Sequence, residues 1–284
     1  MNNTFDLHRF GMVLRWDLLT NKKRYIFGLL GLILGFTGCF VGSLYSIRGW
    51  AEAIANGESA PGAPSLSDFF IDQSYTFFWI FLAIVMVVMA CKVFHNMRTK
   101  VGRINFMMLP ATNLEKFIAR LLVMTVGAFV MVILALIGGD MIQFAASFVI
   151  TPSFHTSLSW PILSQWSSAI LSYTPMQMLD IFCFLLLIHS FCILGGSFYR
   201  KQAVVLTIVT GTILLFVFGY TATWLHELGV FPFAGHIMQN FEFENEVFQT
   251  LAIVCTLLFA AFNYWASYKL FTHMQVICNK WINI

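Results

Sequence analysis

Charge is scarce in this sequence. Asp, Glu, Lys and Arg make up 10% of the 284 residues, where a soluble domain carries about 25%. With 59% hydrophobic residues and a mean hydropathy of +0.79, that scarcity excludes a water-soluble globular domain and describes an integral membrane protein. The signatures of chemistry are missing too. No G-x-x-x-x-G-K-[ST] run is there to cradle nucleotide phosphates, no G-x-S-x-G elbow to present a serine, and no His/Cys/Asp cluster at metal-ligand spacing. Gly138-Gly139-Asp140 approaches the G-x-G-D of intramembrane aspartyl proteases, but Ile137 stands where the first glycine is required and no earlier span carries a partner Asp. A bend at the membrane edge is the simpler reading. His226-Glu227-Leu228-Gly229-Val230 ends in Val where a zincin helix needs its second His. The chain therefore reads as non-enzymatic, with no cofactor and no metal.

Disulfides are not expected either. The six cysteines, Cys39, Cys91, Cys183, Cys192, Cys255 and Cys278, never form C-x-x-C and lie mostly within apolar runs, so buried free thiols are expected. Asp6, Arg9, Arg15, Asp17 and Lys22 interrupt the N-terminal stretch before any apolar run begins, which argues against a cleaved signal peptide and leaves the first span as the insertion signal.

What the chain does have is apolar runs long enough to cross a bilayer, which takes about 20 residues each. Six are expected, at about 25–45, 73–91, 117–139, 179–199, 203–224 and 247–268. Alternate connecting segments hold fifteen of the sixteen Lys and Arg residues, and Arg48 alone falls on the other side. Positive residues mark the cytoplasmic side, so both termini face the cytoplasm. The net charge of +3 thus reflects topology and lipid contact, with no nucleic-acid partner implied. The expected fold is an all-α integral membrane protein in two parts: an amphipathic interfacial helix in residues 1–24 and a six-span domain over 25–284. In the first part Phe5, Leu7, Phe10, Val13, Leu14 and Leu18 keep near-helical spacing, with Arg9, Arg15 and Asp17 largely elsewhere on the wheel.

Within the first span, Gly28, Gly31, Gly35, Gly38 and Gly42 recur at steps of three and four, forming one stripe. Small stripes let helix backbones approach closely, so the stripe predicts a seam, either with another helix of this chain or with a second copy. Residues 46–68 read as a turn-rich external loop, 141–178 as an external cap of short helices, and 225–247 as a third external segment in which Phe231-Pro232-Phe233 is a candidate re-entrant piece. Asp180 and His189 fall inside the fourth span, where an ionisable group is a functional candidate. For the lone His189 a hydrogen bond to a neighbouring helix is the plainer reading.

The exception to the lipid-like composition is the stretch from Lys92 to Arg120, which holds Lys92, Arg98, Lys100, Arg103, Lys116 and Arg120. Leu109-Pro110-Ala111 stops the chain, and Thr112-Asn113-Leu114-Glu115 then has the S/T-x-x-E form of a capping box, which begins a helix firmly. A turn followed by a firmly begun helix is a docking shape.

The run Met108 to Phe117 resembles the cytosolic turn before the third span of exporter-class (type 2) ABC-transporter permeases, especially the small bacterial six-span kind. Phe10 to Leu19 followed by Asn21-Lys22-Lys23-Arg24 resembles that family's amphipathic N-terminal helix and basic stop. The motifs cover about the first half of the chain, and beyond it only the span pattern agrees. The resemblance implies a multi-pass permease subunit of the bacterial cytoplasmic membrane that forms the substrate pathway of an exporter. It also implies the partners, a separate ATP-binding subunit and a second permease copy, homo- or heterodimeric, in membrane lipid. Arg103, Leu109, Pro110, Thr112, Glu115 and Lys116 are then the candidate residues for coupling to the ATPase. The alternatives are an ATP-independent secondary transporter or channel, expected to show paired intramembrane charges or an inverted repeat, and an intramembrane enzyme, which would need the broken motifs whole.

Overall fold

The computed structural model of the chain describes residues 5–56, 65–227 and 246–273. The described residues are overwhelmingly helical: α1 (Leu7–Thr20), α2 (Lys22–Ala55), α3 (Leu66–Cys91), a 3-10 turn (His95–Arg98), α4 (Lys100–Met107), α5 (Asn113–Ile150), α6 (Ser159–Ser172), α7 (Pro175–Phe198), α8 (Ala203–Glu227) and α9 (Glu246–His273). Six of these, α2, α3, α5, α7, α8 and α9, are long and apolar enough to cross a membrane. The chain is a multi-pass membrane protein.

The six spans fall where the sequence places them, but their helices are longer. At about 1.5 Å per residue, the 38 residues of α5 extend roughly 57 Å, nearly twice the hydrocarbon core. The expected external loop at 46–68 is shortened because α2 runs on to Ala55 and α3 starts at Leu66. The expected cap at 141–178 is likewise mostly helix continuation: α5 takes it to Ile150, α7 begins at Pro175, and α6 alone is a separate short helix. At Gly138-Gly139, where a bend is expected, the helical assignment of α5 continues without a break. The candidate re-entrant piece at 231–233, together with Cys278 and Lys280, lies outside the described residues; the five described cysteines are free thiols.

The chain divides into two compact units. Unit 2 comprises residues 10–86 and 122–174. Along α2, Phe36, Phe40, Leu44 and Ile47 are buried, recurring at helical spacing. Phe36 lies against Phe81 of α3, with ring centroids 4.6 Å apart. Gly139 has a packing role: a Cβ there would come within 2.7 Å of the Phe36 Cβ, so the missing side chain admits α2. Asp140 follows at once and turns its carboxylate to the start of α6, accepting from the backbone N–H groups of Leu158 (2.8 Å) and Ser159 (3.0 Å) and the hydroxyls of Ser157 (2.8 Å) and Ser159 (2.7 Å). These are orphan donors of a helix N-terminus, and the favourable helix dipole adds to their bonds. Trp166 of α6 then meets Trp79, Phe78 and Phe129.

The glycine stripe of α2 faces largely outward. Among the described residues a Cβ built on Gly35 would meet the ring of Phe81 at 3.1 Å, whereas one on Gly28, Gly31, Gly38 or Gly42 would meet nothing within 4 Å. Of the two seams the stripe allows, the one within this chain is realised, among the described residues, at Gly35 alone.

Unit 1 comprises residues 1–9, 87–121 and 175–284. Here α7 packs on both α8 and α9. Gly195 lies under Thr207 of α8, and a Cβ on Gly196 would stand 2.5 Å from the Cys91 carbonyl oxygen, so α7 narrows where it passes the end of α3. Between α7 and α9 run three polar pairs: Asp180 with Gln249, His189 Nδ1 with the Tyr264 hydroxyl (2.7 Å), and Ser190 with Asn263 (3.2 Å). Their order shows that α7 and α9 run in the same direction, as alternate spans must.

Candidate functional site

The Lys92–Arg120 segment folds into a compact shelf of short helices within unit 1. Cys91 ends α3, the 3-10 turn follows, and the Thr99 hydroxyl caps α4 by accepting from the Gly102 N–H at 3.1 Å. A turn over 108–112 leads into α5, and the capping box is present there in both directions. Glu115 N–H donates to Thr112 Oγ1 (3.3 Å), and Thr112 N–H donates to Glu115 Oε2 (2.8 Å).

Each buried charge of the shelf is matched to a helix end. Arg103, 1% exposed, donates to the Met97 carbonyl that closes the 3-10 turn. Arg120 Nε donates at 3.0 Å to the Val93 carbonyl just beyond α3, and Lys116 Nζ at 2.7 Å to the Met107 carbonyl that closes α4. Helix C-termini leave carbonyls unsatisfied and carry partial negative charge, so a cation there answers both. Glu115 plays the opposite part. Fully buried, it accepts from the Asp6 N–H just ahead of α1 (2.8 Å) and from Arg9 Nη2 (3.0 Å), tying the first turn of α1 to the shelf.

Beneath the helix ends lies an aromatic floor. Phe94 stacks on Phe271 of α9 with centroids 5.0 Å apart, Phe106 and Phe117 meet the same ring, and Phe117 also meets Tyr268. The ends of α3, α7 and α9, the start of α8 and the start of α5 thus converge at one end of the unit. Lys92 and Arg200, from two of the basic segments of the sequence, line one cleft there.

The candidate coupling residues divide between the two sides of the shelf. Arg103, Glu115 and Lys116 are buried, Leu109 and Thr112 are half-buried, and Pro110 is exposed. The outward face instead carries apolar side chains that sequence reasoning missed: Val101 is 67% exposed, Met108 78% and Leu114 43%. Their signal was legible, since Met107-Met108-Leu109 and Leu114 are apolar residues in a segment otherwise marked as solvated by its charge. His189 is hydrogen-bonded to the neighbouring span, in keeping with the plainer reading. Among the described residues no group of three His, Cys, Asp or Glu is placed to hold a metal. The chemistry on offer is mechanical: a rigid shelf with a small apolar face, continuous with a helix that crosses the bilayer. Compared with known proteins, the chain matches no family model, no curated protein and no solved structure.

Proposed function

We propose that this chain is the membrane-spanning permease subunit of an ATP-driven exporter, driven by a separate ATP-binding subunit that docks on the Lys92–Arg120 shelf from the cytoplasm. One observation carries the reading: three buried cations and one buried carboxylate are used up on helix ends, fixing a shelf that exposes the apolar Val101, Met108 and Leu114 beside Lys100, Asn105 and Asn113 and continues directly into α5. A segment serving only to cross between spans needs no such bracing. Glu115 and Lys116 enter as positioning residues that hold the shelf, while Val101, Met108, Pro110 and Leu114 make the contact. The Lys/Arg surplus at this end supports a cytoplasmic orientation, and the amphipathic α1 fits a place at that interface of the bacterial cytoplasmic membrane. The four open glycines of α2 suit a second permease copy.

The test is co-purification. In native membranes the tagged permease is expected to carry ATP hydrolysis that vanadate inhibits, and Met108→Asp is expected to lose it while keeping its yield and melting temperature. Full retention of that ATPase by Met108→Asp with Val101→Asp would overturn the docking face. A second reading, an ATP-independent transporter, draws on the polar pairs between α7 and α9. It predicts transport that survives in vesicles without ATP and fails in His189→Phe.

A further inference from the structure

Residues 141–179 contain no Asp, Glu, Lys or Arg. The other two segments read as external are charged: 46–68 holds Arg48, Glu52, Glu58 and Asp68, and 225–247 holds Glu227, Glu242, Glu244 and Glu246. Within the uncharged segment stands the separate helix α6. We propose that α6 is embedded in the bilayer, in the leaflet at the Asp72 end of α3, with its exposed side docked on lipid.

What α6 touches in unit 2 sets its depth. Gln165 Nε2 donates to Asp72 Oδ1 at 2.8 Å, and Asp72 is the last charged residue before the uncharged stretch of α3 from Gln73 to Cys91. The next residue of α6, Trp166, meets Trp79 with ring centroids 6.0 Å apart. Trp79 stands about 10 Å past Asp72 along the helix, deeper than the interfacial layer of about 5–8 Å. Phe129, which also meets Trp166, is near the middle of α5. The helix thus packs on membrane-crossing parts of α3 and α5. Its 14 residues extend roughly 21 Å, too short for the hydrocarbon core of about 30 Å, so it occupies one leaflet.

The exposed side suits lipid as well. Trp160, Ser164, Ser167, Ser168 and Leu171 fall on it at helical spacing, with Trp160 78% and Leu171 84% exposed. The serines there are already satisfied: the hydroxyls of Ser164, Ser167 and Ser168 donate to the carbonyls of Pro161, Ser164 and Gln165. In a bilayer no water takes up a free hydroxyl, and bonding back to the helix's own carbonyls removes that cost. Trp suits the headgroup boundary and Leu the acyl chains beneath it. This inference needs only that the chain spans a membrane, and is independent of any ATPase.

The experiment places a spin label at Leu171→Cys and, as a near-isosteric second probe on the same side, at Ser168→Cys, with the native cysteines replaced by Ser or Ala. The labelled proteins are reconstituted in vesicles of phosphatidylcholine and phosphatidylglycerol. Relaxation of the label is then measured with oxygen, which concentrates in hydrocarbon, and with Ni-EDDA, which stays in water. Glu52→Cys, from the exposed Arg48–Glu52 ion pair of α2, is the water-facing control. Oxygen is expected to relax both α6 labels more than Ni-EDDA does, and the order to invert at Glu52. Stronger relaxation by Ni-EDDA at either α6 position puts the helix in water and overturns the proposal. Exclusion of both reagents does so as well, by assigning the face to a protein contact such as a second copy.

Discussion

The two units of this protein close their helices with different materials. Unit 2 uses rings and missing side chains: Phe36 against Phe81, Gly139 under Phe36, and the Trp166 cluster, with Asp140 as the buried acid that starts α6. In unit 1 the shelf uses full charges, Arg103, Lys116 and Arg120 on helix C-termini and Glu115 on two N-termini. The contrast follows from what each must do. Spans surrounded by lipid need only shape, because every backbone group within them is already bonded. A segment that breaks into several short helices exposes many orphan N–H and C=O groups, and charged side chains are the strongest partners available for them.

The largest effect is therefore expected where a buried charge is removed. Glu115→Ala leaves Arg9 and the Asp6 and Thr112 N–H groups without their acceptor; breaking such a buried pair costs about 3–5 kcal/mol. Loss of monodisperse protein on gel filtration is the expected outcome. Glu115→Gln, which keeps an acceptor oxygen, should survive with a lowered melting temperature. If Glu115→Ala melts as the parent does, the shelf is not held by its charges.

Second, Asp140→Ala should cost about 2 kcal/mol, since hydrogen bonds to a charged acceptor contribute about 1.5–3 kcal/mol. Its effect is expected to stay local, with hydrogen exchange rising over 155–172 and not along α5. Exchange rising throughout α5 would show that Asp140 supports more than α6.

The third prediction sets glycines against each other. Gly196→Ala pushes a Cβ into the Cys91 carbonyl, and such overpacking costs about 1–3 kcal/mol. Gly38→Ala meets open space and adds helix propensity of up to about 1 kcal/mol, so it should leave the isolated protomer as stable or slightly more so. The bulkier Gly38→Leu is expected to show only as lost dimer after gentle purification. Equal melting temperatures for Gly196→Ala and Gly38→Ala would mean that α7 does not pack as closely as described. Fourth and smallest, Gln202→Gly should raise stability by about 1 kcal/mol, relieving the left-handed backbone that costs a side chain about 1–2 kcal/mol.

These contrasts also show what was legible in the sequence. The spans were, because lipid demands long apolar runs and the Lys/Arg pattern separates them. The capping box at Thr112–Glu115 was legible as well, since its bonds join residues three apart. The destinations of the charges were not. Nothing local says that Glu115 reaches Asp6 and Arg9, or that Arg120 reaches back to Val93, because those contacts depend on which helix ends meet in space. The close glycine contacts within the chain were not legible either. The regular stripe of α2 stands mostly open, while the close approaches fall at Gly139, Gly195 and Gly196, whose need for small size is set by a partner helix and not by their own periodicity.

The central claim is that the shelf presents a rigid apolar face to a cytoplasmic ATP-binding partner. Met108→Cys tests it most directly, in a background where the native cysteines are replaced by Ser or Ala, using a membrane-impermeant maleimide on vesicles of known sidedness. The account predicts labelling in inverted vesicles but not in right-side-out ones, and slowed labelling of inverted vesicles when the co-purifying ATPase is present. Labelling from the outer face, or labelling that the ATPase does not slow, would contradict it.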